Sequence, residues 1–247
     1  MNTIALSIVV PCYNEGETIP HLLARYAKAL EGREDIEVII VNDGSKDTTK
    51  EVLDREQENF SFLKVIHVNP NAGYGNAVTT GLRASSGGII GWTHGDLQTP
   101  PEDMLRALAI FKGHKGERPL FVKGKRYGRP LVDVVFTFGM SVFETLLFKK
   151  KLIDINAQPN VFSRSFLNYW DNPPKDFSLD LYAYVLAKNS GYEVKRFPVH
   201  FGKRFAGVSS WNTSWKNKVK FIKRTITFSI KLRSKNVENK AFPKILS

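Results

Sequence analysis

The sequence predicts an α/β fold in which helices cover both faces of a mainly parallel sheet. In the first 110 residues, apolar runs of strand length alternate with segments whose apolar residues recur at helical spacing. The strand-like runs are apolar throughout, which is typical of parallel strands buried on both faces. No low-complexity linker or internal repeat divides the chain, so we expect one domain with a basic C-terminal extension.

The predicted elements of the first half alternate between strand and helix. Strands are expected at residues 6–10, 38–41, 62–66 and 88–92, and helices at 19–30, 45–58, 72–85 and 101–112. Pro100 and Pro101 suit the start of the last helix, where a missing N–H has no helical partner to lose. The second half is less regular, with strands predicted at 120–124 and 193–199 and helices at 132–148 and 179–188.

Composition narrows the class of protein. A hydrophobic content of 42% is enough for a sizeable core. The single cysteine, Cys12, excludes an internal disulfide and favours a reducing compartment. The N-terminus runs directly into a strand pattern without a basic leader segment, so we expect no signal peptide and a cytoplasmic location.

The positive charge is concentrated at the C-terminus. The net charge is +12, and residues 195–247 hold 14 Lys and Arg against one acid, whereas residues 1–194 hold 22 against 23 acids. Such a tail suits nucleic acid, an anionic membrane or a phosphorylated substrate, or is simply a solvated basic surface. The most apolar stretch, 131–148, is interrupted by Asp133 and Glu144, so a membrane role would be peripheral or would need a membrane-protein partner.

Polar residues follow three of the predicted strands, at 13–15, 42–45 and 94–98. Ligands of such sheets gather beyond the carboxyl ends of the strands, so we expect these segments to meet at one edge. Asp96 and Gln98 offer a carboxylate and an amide oxygen two residues apart, which could hold a divalent metal against a diphosphate. An isolated D-x-Q would more simply be a polar turn.

Four motifs occur in order along the chain: VPCYNE (10–15), VNDGSKDT (41–48), NAGYGNA (71–77) and GDLQTPP (95–101). Together they resemble the motifs of the inverting family-2 glycosyltransferases of GT-A fold, in particular the dolichol-phosphate mannose synthase and polyprenyl-phosphate glycosyltransferase branch. The resemblance implies a GT-A domain over 1–232 and a basic tail over 233–247. Within the domain it implies a nucleotide-sugar half (1–112), an acceptor half (113–211) and a basic amphipathic helix (212–232).

The resemblance also implies a set of donor-binding residues. Contacts to the nucleotide sugar, GDP- or UDP-linked, are expected from Pro11, Tyr13 and Glu15. Asp43 can accept a hydrogen bond from a base N–H, although an Asp in this setting can also simply form the turn. Gly73 and Asn76 lie at the start of a predicted helix, whose free N–H groups favour a phosphate or a sugar hydroxyl.

The expected metal site departs from the family at one position. Relatives usually read D-x-D-L-Q, and His94 replaces the first Asp, which leaves Asp96 and Gln98 as the expected ligands of Mg²⁺ or Mn²⁺. His94 would contact the ribose or diphosphate, or favour Mn²⁺ as a nitrogen ligand. The alternative is a structural polar residue at a strand end.

Cations are expected to hold the phosphates in the acceptor half. Arg126 matches the family's G-S-R segment, Arg129 follows it, and solvated surface charge is the alternative for both. Lys203 and Arg204, in a segment similar to the family's R-x-x-G-x-S, are candidates to hold the donor diphosphate or the acceptor phosphate. Asp154 matches the family's D-x-T-S-G-F-R segment, whose central residues differ here.

The resemblance implies transfer of a sugar to a polyprenyl phosphate, dolichyl or undecaprenyl, at the cytoplasmic face of a membrane, with Asp96, Arg126 and Arg204 as catalytic residues. An anionic phosphate nucleophile needs positioning and charge stabilisation more than a base. A sugar hydroxyl in a glycan acceptor would need a general base, for which Asp180 is the candidate. A nucleic-acid-binding protein would leave the strand-end motifs unexplained, so we expect no nucleic-acid partner.

The predicted helix at 212–232 has two interpretations. Its apolar residues recur at helical spacing among lysines and arginines, which is typical of a helix lying on an anionic membrane. The same pattern is also typical of a helix packed on the core of its own domain.

Overall fold

The computed structural model describes residues 3–202 and 215–238. Its strands are β1 (Leu6–Cys12), β2 (Ile36–Asp43), β3 (Leu63–Val68), β4 (Ile89–Trp92), β5 (Leu120–Tyr127), β6 (Asn160–Ser163) and β7 (Glu193–His200). They form one seven-stranded sheet in the order β3-β2-β1-β4-β6-β5-β7. The predicted α/β class with a mainly parallel sheet is confirmed.

The helices connect these strands on both faces of the sheet. They are α1 (Ile19–Ala29), α2 (Thr49–Glu56), α3 (Tyr74–Arg83), α4 (Glu102–Lys112), α5 (Leu131–Phe148), α6 (Leu179–Asn189) and α7 (Trp215–Glu238), with a 3-10 helix at Arg164–Tyr169. Helix α7 ends six residues beyond the segment 212–232 that the sequence predicted.

Strand β6 is the antiparallel member of the sheet. It pairs antiparallel with β4 on one side and with β5 on the other, so Asn160 lies opposite Trp92 and Lys123 in the two ladders. The other strand pairs are parallel. The sequence did not predict β6, because four residues with a buried Asn at the start carry no recognisable strand period.

Two hydrophobic cores lie on opposite faces of the sheet. In β1, Val9 packs on one face while Ile8 and Val10 pack on the other, and all three are fully buried. Burial on both faces explains why the strands are apolar throughout rather than alternating. Aromatic rings hold β6 in the first core, since Phe162 stacks on Phe121 at 5.5 Å and contacts the edge of Trp92 at 5.8 Å.

Helix α5 is apolar but mostly exposed. Its buried side chains are Ser141, Glu144 and Phe148. The large apolar side chains that it leaves exposed are Leu131, Val132, Val134, Val135, Phe138, Val142 and Leu146. Its 18 residues have a mean hydropathy of 1.8, so by length and composition alone it is the one helix in the described part of the chain that could cross a membrane.

We predict that Gly91→Ala in β4 destabilises the fold. A Cβ at this position would collide with the backbone oxygen of Asn160 in β6, and overpacking of this kind typically lowers the free energy of unfolding by about 1–3 kcal/mol. Gly88→Ala is the matched control, because a Cβ there meets only open space. Urea denaturation of both variants would measure the difference, and equal stabilities would contradict the close contact between β4 and β6.

Candidate functional site

The polar segments after β1 and β2 are joined by hydrogen bonds. Asn14 and Ser45 contact through the Asn14 N–H and the Ser45 hydroxyl at 2.9 Å. The Glu15 N–H donates to the Thr49 hydroxyl, also at 2.9 Å. The segment after β4 lies beside them, since a Cβ on Gly95 would be 3.1 Å from Val10. The structure therefore brings the three predicted segments together at one edge of the sheet.

The candidate nucleoside-binding residues Pro11, Tyr13 and Glu15 lie at the carboxyl end of β1 and in the loop that follows it. Pro11 pairs with Val41 in the ladder between β1 and β2. The Tyr13 side chain is 43% exposed, whereas Glu15 is buried. Their contacts with a nucleoside remain predictions.

Asp43 holds the loop that precedes α3. It is buried, and its two carboxylate oxygens accept hydrogen bonds from the N–H groups of Ala72 (2.9 Å) and Gly73 (2.8 Å). Its backbone oxygen accepts a third from the Asn71 side chain at 2.6 Å. The turn-forming role that the sequence left open is therefore present, and a contact with a base remains a prediction.

The N-terminus of α3 is covered by the segment 174–176. A Cβ on Gly73 or Gly75 would collide with the backbone oxygens of Lys175 or Pro174. The Asn76 N–H donates to the Lys175 oxygen at 3.2 Å. These glycines thus allow two backbones to approach closely, and the Asn76 N–H expected to serve a phosphate already has a protein partner.

The loop 96–98 has the oxygen atoms that a hard divalent cation prefers. Asp96 Oδ1 accepts from the Gln98 N–H at 3.1 Å, and Gln98 Nε2 donates to the Gly202 oxygen at 3.0 Å, so Oε1 is the atom left for a ligand. Between them Leu97 adopts a left-handed backbone with φ of 61°, a strained conformation for a branched residue.

The described residues contain no group of three or more His, Cys, Asp or Glu that could hold a metal ion. Among the described residues, the Asp96 carboxylate and the Gln98 amide oxygen are therefore the candidate metal ligands of this loop. This set fits Mg²⁺ or Mn²⁺ when a diphosphate and water supply the other ligands. His94, two residues before Asp96, is partly buried with its ring edge against Phe201 at 6.1 Å.

Arg126 and Arg129 are buried in an ion-pair cluster. Arg126 binds the Asp154 carboxylate through its backbone N–H and its guanidinium. Arg129 and Arg196 approach the same carboxylate at 3.6 and 3.8 Å. The side chains of Arg126, Arg129 and Asp154 are 11%, 8% and 7% exposed, so these arginines are not solvated surface charges. Lys203 and Arg204 lie outside the described residues.

Three guanidinium groups share this one carboxylate. Burial alone would raise the pKa of Asp154, but the neighbouring Arg126 and Arg129 hold it below its usual value. The cluster therefore keeps an excess of positive charge. Sequence reasoning missed Arg196, which has the pattern of an ordinary β7 residue and donates to the Gly124 backbone oxygen.

Asp180 lies in the core rather than in the open edge. It is 2% exposed, and its Oδ1 accepts hydrogen bonds from Trp92 (3.3 Å), Gln158 (2.9 Å) and Asn160 (3.1 Å). Burial raises its pKa, while Lys123 and His94 oppose the rise. The sequence identified Asp180 but missed the residues around it. A lysine at position 123, inside an apolar strand, was the available signal.

A cavity lies between α5, the N-terminus of α6 and α7. Most of its lining surface is apolar and comes from Phe136, Met140, Ile155, Phe177 and Leu181. The polar lining residues are Arg126, Thr137, Ser141, Glu144, Asn156, Ser178 and Thr225. Glu144 Oε1 accepts a hydrogen bond from the Ser229 hydroxyl of α7 at 2.6 Å, and burial raises the pKa of Glu144 to about 7. The cavity is thus mainly apolar, with the arginine cluster at one side.

In an α/β sheet of this kind, ligands bind beyond the carboxyl ends of the strands, which is the edge where the polar loops of this chain gather. Residues 7–167 match the family described as glycosyl transferase family 2. The chain belongs to this family. The predicted family membership and GT-A fold are confirmed.

Relatives with curated names include proteins of the polyprenyl-phosphate branch. Undecaprenyl-phosphate 4-deoxy-4-formamido-L-arabinose transferase of Salmonella choleraesuis is 36% identical over 84% of this chain and 62% of its own length. An uncharacterized glycosyltransferase of Synechocystis sp. is 31% identical over 87% of this chain and 66% of its own length. The chain spans from about a third to just under two thirds of the curated relatives that it matches.

Solved structures share the fold at low sequence identity. Glucosyl-3-phosphoglycerate synthase of Mycobacterium tuberculosis, in complex with Mn²⁺, UDP and glucosyl-3-phosphoglycerate, has a TM-score of 0.70 and 15% identity over 93% of this chain and 79% of that one. The mannosyltransferase PcManGT of Pyrobaculum calidifontis, in complex with GDP-Man and Mn²⁺, has a TM-score of 0.65 and 20% identity over 92% and 64%.

We predict that Asp154→Ala lowers the free energy of unfolding by about 3–5 kcal/mol, because it leaves buried arginines without their counter-charge. Asp54→Ala, which removes an exposed carboxylate paired with Lys50, is the control and should have a much smaller effect. Urea denaturation at neutral pH measures both, and similar losses would contradict a stabilising role for the cluster.

The same ion pair predicts a pH dependence. The folded-state pKa of Asp154 is lowered, so its stabilisation is complete above the unfolded-state pKa of about 3.9 and is lost as the pH falls through the folded-state value. The stability difference between the wild type and Asp154→Asn should therefore shrink below about pH 4.

Proposed function

We propose that this protein transfers a sugar from a GDP- or UDP-linked donor to a polyprenyl phosphate, dolichyl or undecaprenyl, at the cytoplasmic face of a membrane. The observation that carries the proposal is the junction of the buried arginine cluster with the exposed apolar helix α5. Arg129 donates to the Thr137 hydroxyl of α5 at 2.9 Å, and Arg126 lines the cavity beside the same helix. A phosphate site beside a lipid-facing helix suits a phosphorylated lipid.

The donor side of the proposal rests on the loops at the carboxyl edge. Pro11, Tyr13, Glu15 and Asp43 would bind the nucleoside. Asp96 and Gln98 would hold Mg²⁺ or Mn²⁺, which when bound supplies positive charge against the donor diphosphate. Solved relatives of this fold were obtained with UDP or GDP-Man together with Mn²⁺, which supports the same donor class here.

The acceptor side of the proposal rests on the arginines. Their guanidinium groups can donate paired hydrogen bonds to phosphate oxygens, and the cluster has an excess of positive charge. One acceptor phosphate oxygen would form a bond to the anomeric carbon with inversion, while the bond from that carbon to the diphosphate breaks and the electron pair leaves with the nucleoside diphosphate. Lys203 and Arg204 remain candidates to hold the phosphates.

A phosphate nucleophile is already anionic, so positioning and charge stabilisation are sufficient for its attack. The alternative, transfer to a sugar hydroxyl in a cell-surface glycan, would use Asp180 as the general base. The burial of Asp180 behind Trp92, Gln158 and Asn160 favours the phosphate acceptor. The name of the Salmonella relative, an undecaprenyl-phosphate transferase, supports the same choice.

The membrane side of the proposal rests on α5 and α7. Phe138 and Leu146 of α5 are 69% and 73% exposed. Helix α7 packs on the domain through Ser229 and Leu232, whereas Lys223 and Lys231 are exposed. Both interpretations of α7 thus have support, because one side faces the domain and the other carries cations suited to anionic lipid.

We place α5 on the bilayer surface rather than across it, because it contacts the domain through buried side chains. Glu144, which bonds to Ser229 of α7, is one of these. Asp133 in its first turn would also have to enter the bilayer if the helix crossed it.

Nucleotide binding is the first test of this function. With Mg²⁺ or Mn²⁺ present, we expect selective stabilisation by UDP- or GDP-linked compounds of about 2.7 kcal/mol at a ligand concentration 100 times Kd, or several degrees in Tm. Asp96→Ala should lose the metal-dependent part, whereas Asp35→Ala, at the opposite end of β2, should keep it. A wild-type protein stabilised by none of these compounds would count against the enzyme.

Radiolabelled sugar should then appear in an organic-soluble, mild-acid-labile lipid.

Membrane contact is the second test. The double variant Phe138→Ser and Leu146→Ser should bind vesicles containing anionic lipid at least tenfold more weakly, since burial of each side chain contributes about 1.5–3 kcal/mol. Ile153→Ser, outside α5 and α7, is the matched control. Vesicles of neutral lipid should bind the wild type more weakly than anionic ones. Unchanged vesicle binding by the double variant would exclude α5 as the contact surface.

A further inference from the structure

A lysine is fully buried inside strand β5. Lys123 is 0% exposed, and its Nζ donates to the Ala157 backbone oxygen at 2.8 Å and to Asn160 Oδ1 at 2.7 Å. It lies 5.4 Å from the centre of the Tyr184 ring of α6. In the part of the chain that the structure describes, it forms no direct ion pair within 4.0 Å. A buried cation of this kind is costly unless it is tied to a counter-charge.

Asn160 links this cation to the buried carboxylate. Its side-chain oxygen accepts from Lys123, and its Nδ2 donates to Asp180 Oδ1 at 3.1 Å and to Gln158 Oε1 at 2.7 Å. The two charges thus influence each other across an amide. Burial lowers the pKa of Lys123 to about 7 and Asp180 opposes this, while Lys123 in turn opposes the rise in the pKa of Asp180.

Tyr74 connects this network to the donor loops. Its hydroxyl accepts hydrogen bonds from Trp92 Nε1 at 3.0 Å and Gln158 Nε2 at 2.9 Å, and these two groups also donate to Asp180. Burial, followed by the adjacent carboxylate of Asp180, raises the pKa of Tyr74. The Tyr74 ring stacks on Phe177 at 4.5 Å.

The network lies directly behind both donor loops. Tyr74 is the first residue of α3 and follows Gly73, which is bonded to Asp43. Trp92 is the last residue of β4, four residues before Asp96. Two loops that approach the donor from different elements are therefore tied to the same carboxylate.

We propose that Lys123 is a positioning residue for sugar transfer. Through Asn160 it keeps the Asp180 carboxylate ionised, so that this carboxylate accepts the hydrogen bonds of its neutral donors. Tyr74 and Trp92 then hold the two donor loops in a fixed position relative to each other. The proposal rests on the proposed function, because the loops bind the donor only if the protein is a nucleotide-sugar transferase. Loss of the Lys123 charge would leave a buried carboxylate without its cation. A protonated Asp180 would accept the hydrogen bonds at Oδ1 more weakly, because bonds to an ionised carboxylate are roughly twice as strong as neutral ones, and the two loops would be held less firmly by their common partner.

Paired variants test the lysine. Transfer would be measured with UDP-glucose and with GDP-mannose, each with Mn²⁺, to undecaprenyl phosphate in detergent. Lys123→Met should lower kcat at least tenfold, with the KM for undecaprenyl phosphate changed less than threefold. Lys150→Met is the matched control, since its Nζ donates to the backbone oxygen of Lys188, and it should stay within twofold. Wild-type kcat in Lys123→Met would overturn the proposal.

A compensating variant separates positioning from folding. The double variant Lys123→Met and Asp180→Asn removes both charges and keeps an oxygen at position 180 for Trp92, Gln158 and Asn160. It should recover kcat at least threefold over Lys123→Met. Asp180→Asn alone should keep at least a tenth of kcat, whereas a general base would lose about 10²-fold or more. The proposal would be overturned if the double variant had a kcat no higher than that of Lys123→Met. It would also be overturned if Asp180→Asn alone lost about 10²-fold or more in kcat, as expected for a general base.

Tyr74→Phe tests the same proposal if Lys123→Met does not fold. It removes one hydroxyl and keeps the ring on Phe177, and we expect kcat to fall at least fivefold. Tyr182→Phe removes a hydroxyl that bonds to the Asp171 backbone, outside this network, and should have little effect on kcat. Equal kcat in the two variants would overturn the proposal. A wild type that binds neither nucleotide and transfers no sugar would overturn the proposed function as well, so the two failures are distinct.

Discussion

The pairing of strand β6 with both β4 and β5 is the constraint on which the site depends. Strands β1, β2 and β4 carry the loops proposed to bind the donor, and β5 and β7 carry the arginines proposed to bind the acceptor. These two groups of strands meet through the four residues of β6, Asn160–Ser163. Phe162 holds β6 in the aromatic core, and Asn160 lies between Lys123 and Asp180. One short strand therefore joins the two halves of the sheet and also carries the amide that links their buried charges.

The protein buries two aspartates in different ways. Asp154 contacts Arg126 directly and has Arg129 and Arg196 nearby, so its surroundings keep a positive excess. Among the described residues Asp180 forms no ion pair within 4.0 Å, and its carboxylate accepts hydrogen bonds from neutral donors, with Lys123 one amide away. The first arrangement suits attraction of an anion, whereas the second suits a fixed geometry. The surroundings of Asp154 thus supply positive charge, whereas those of Asp180 hold neighbouring groups in place.

Much of the fold could be predicted from the sequence, because β1, β2 and β4 are apolar runs followed by polar loops. The motif residues were found for the same reason. Their partners were not, since the bonds of Asp43 to Ala72 and of Asp180 to Trp92 join residues 29 and 88 positions apart. Strand β6 is too short to show a period, and Arg196 resembles an ordinary strand residue. The sequence does not show how distant segments pack together, and this packing decides which carboxylate oxygens are hydrogen-bonded within the protein.

If the reaction takes place at a membrane, as proposed, the direct hydrogen bond between Arg129 and Thr137 would fix the height of the reaction above the membrane. If α5 rests among lipid headgroups, the arginine cluster lies one side chain away from it, at the level where the phosphate of a membrane lipid resides. The acceptor would then keep its hydrocarbon chain in the bilayer throughout the reaction. Only the water-soluble donor would travel, which spares the enzyme the free energy of extracting a long isoprenoid into water.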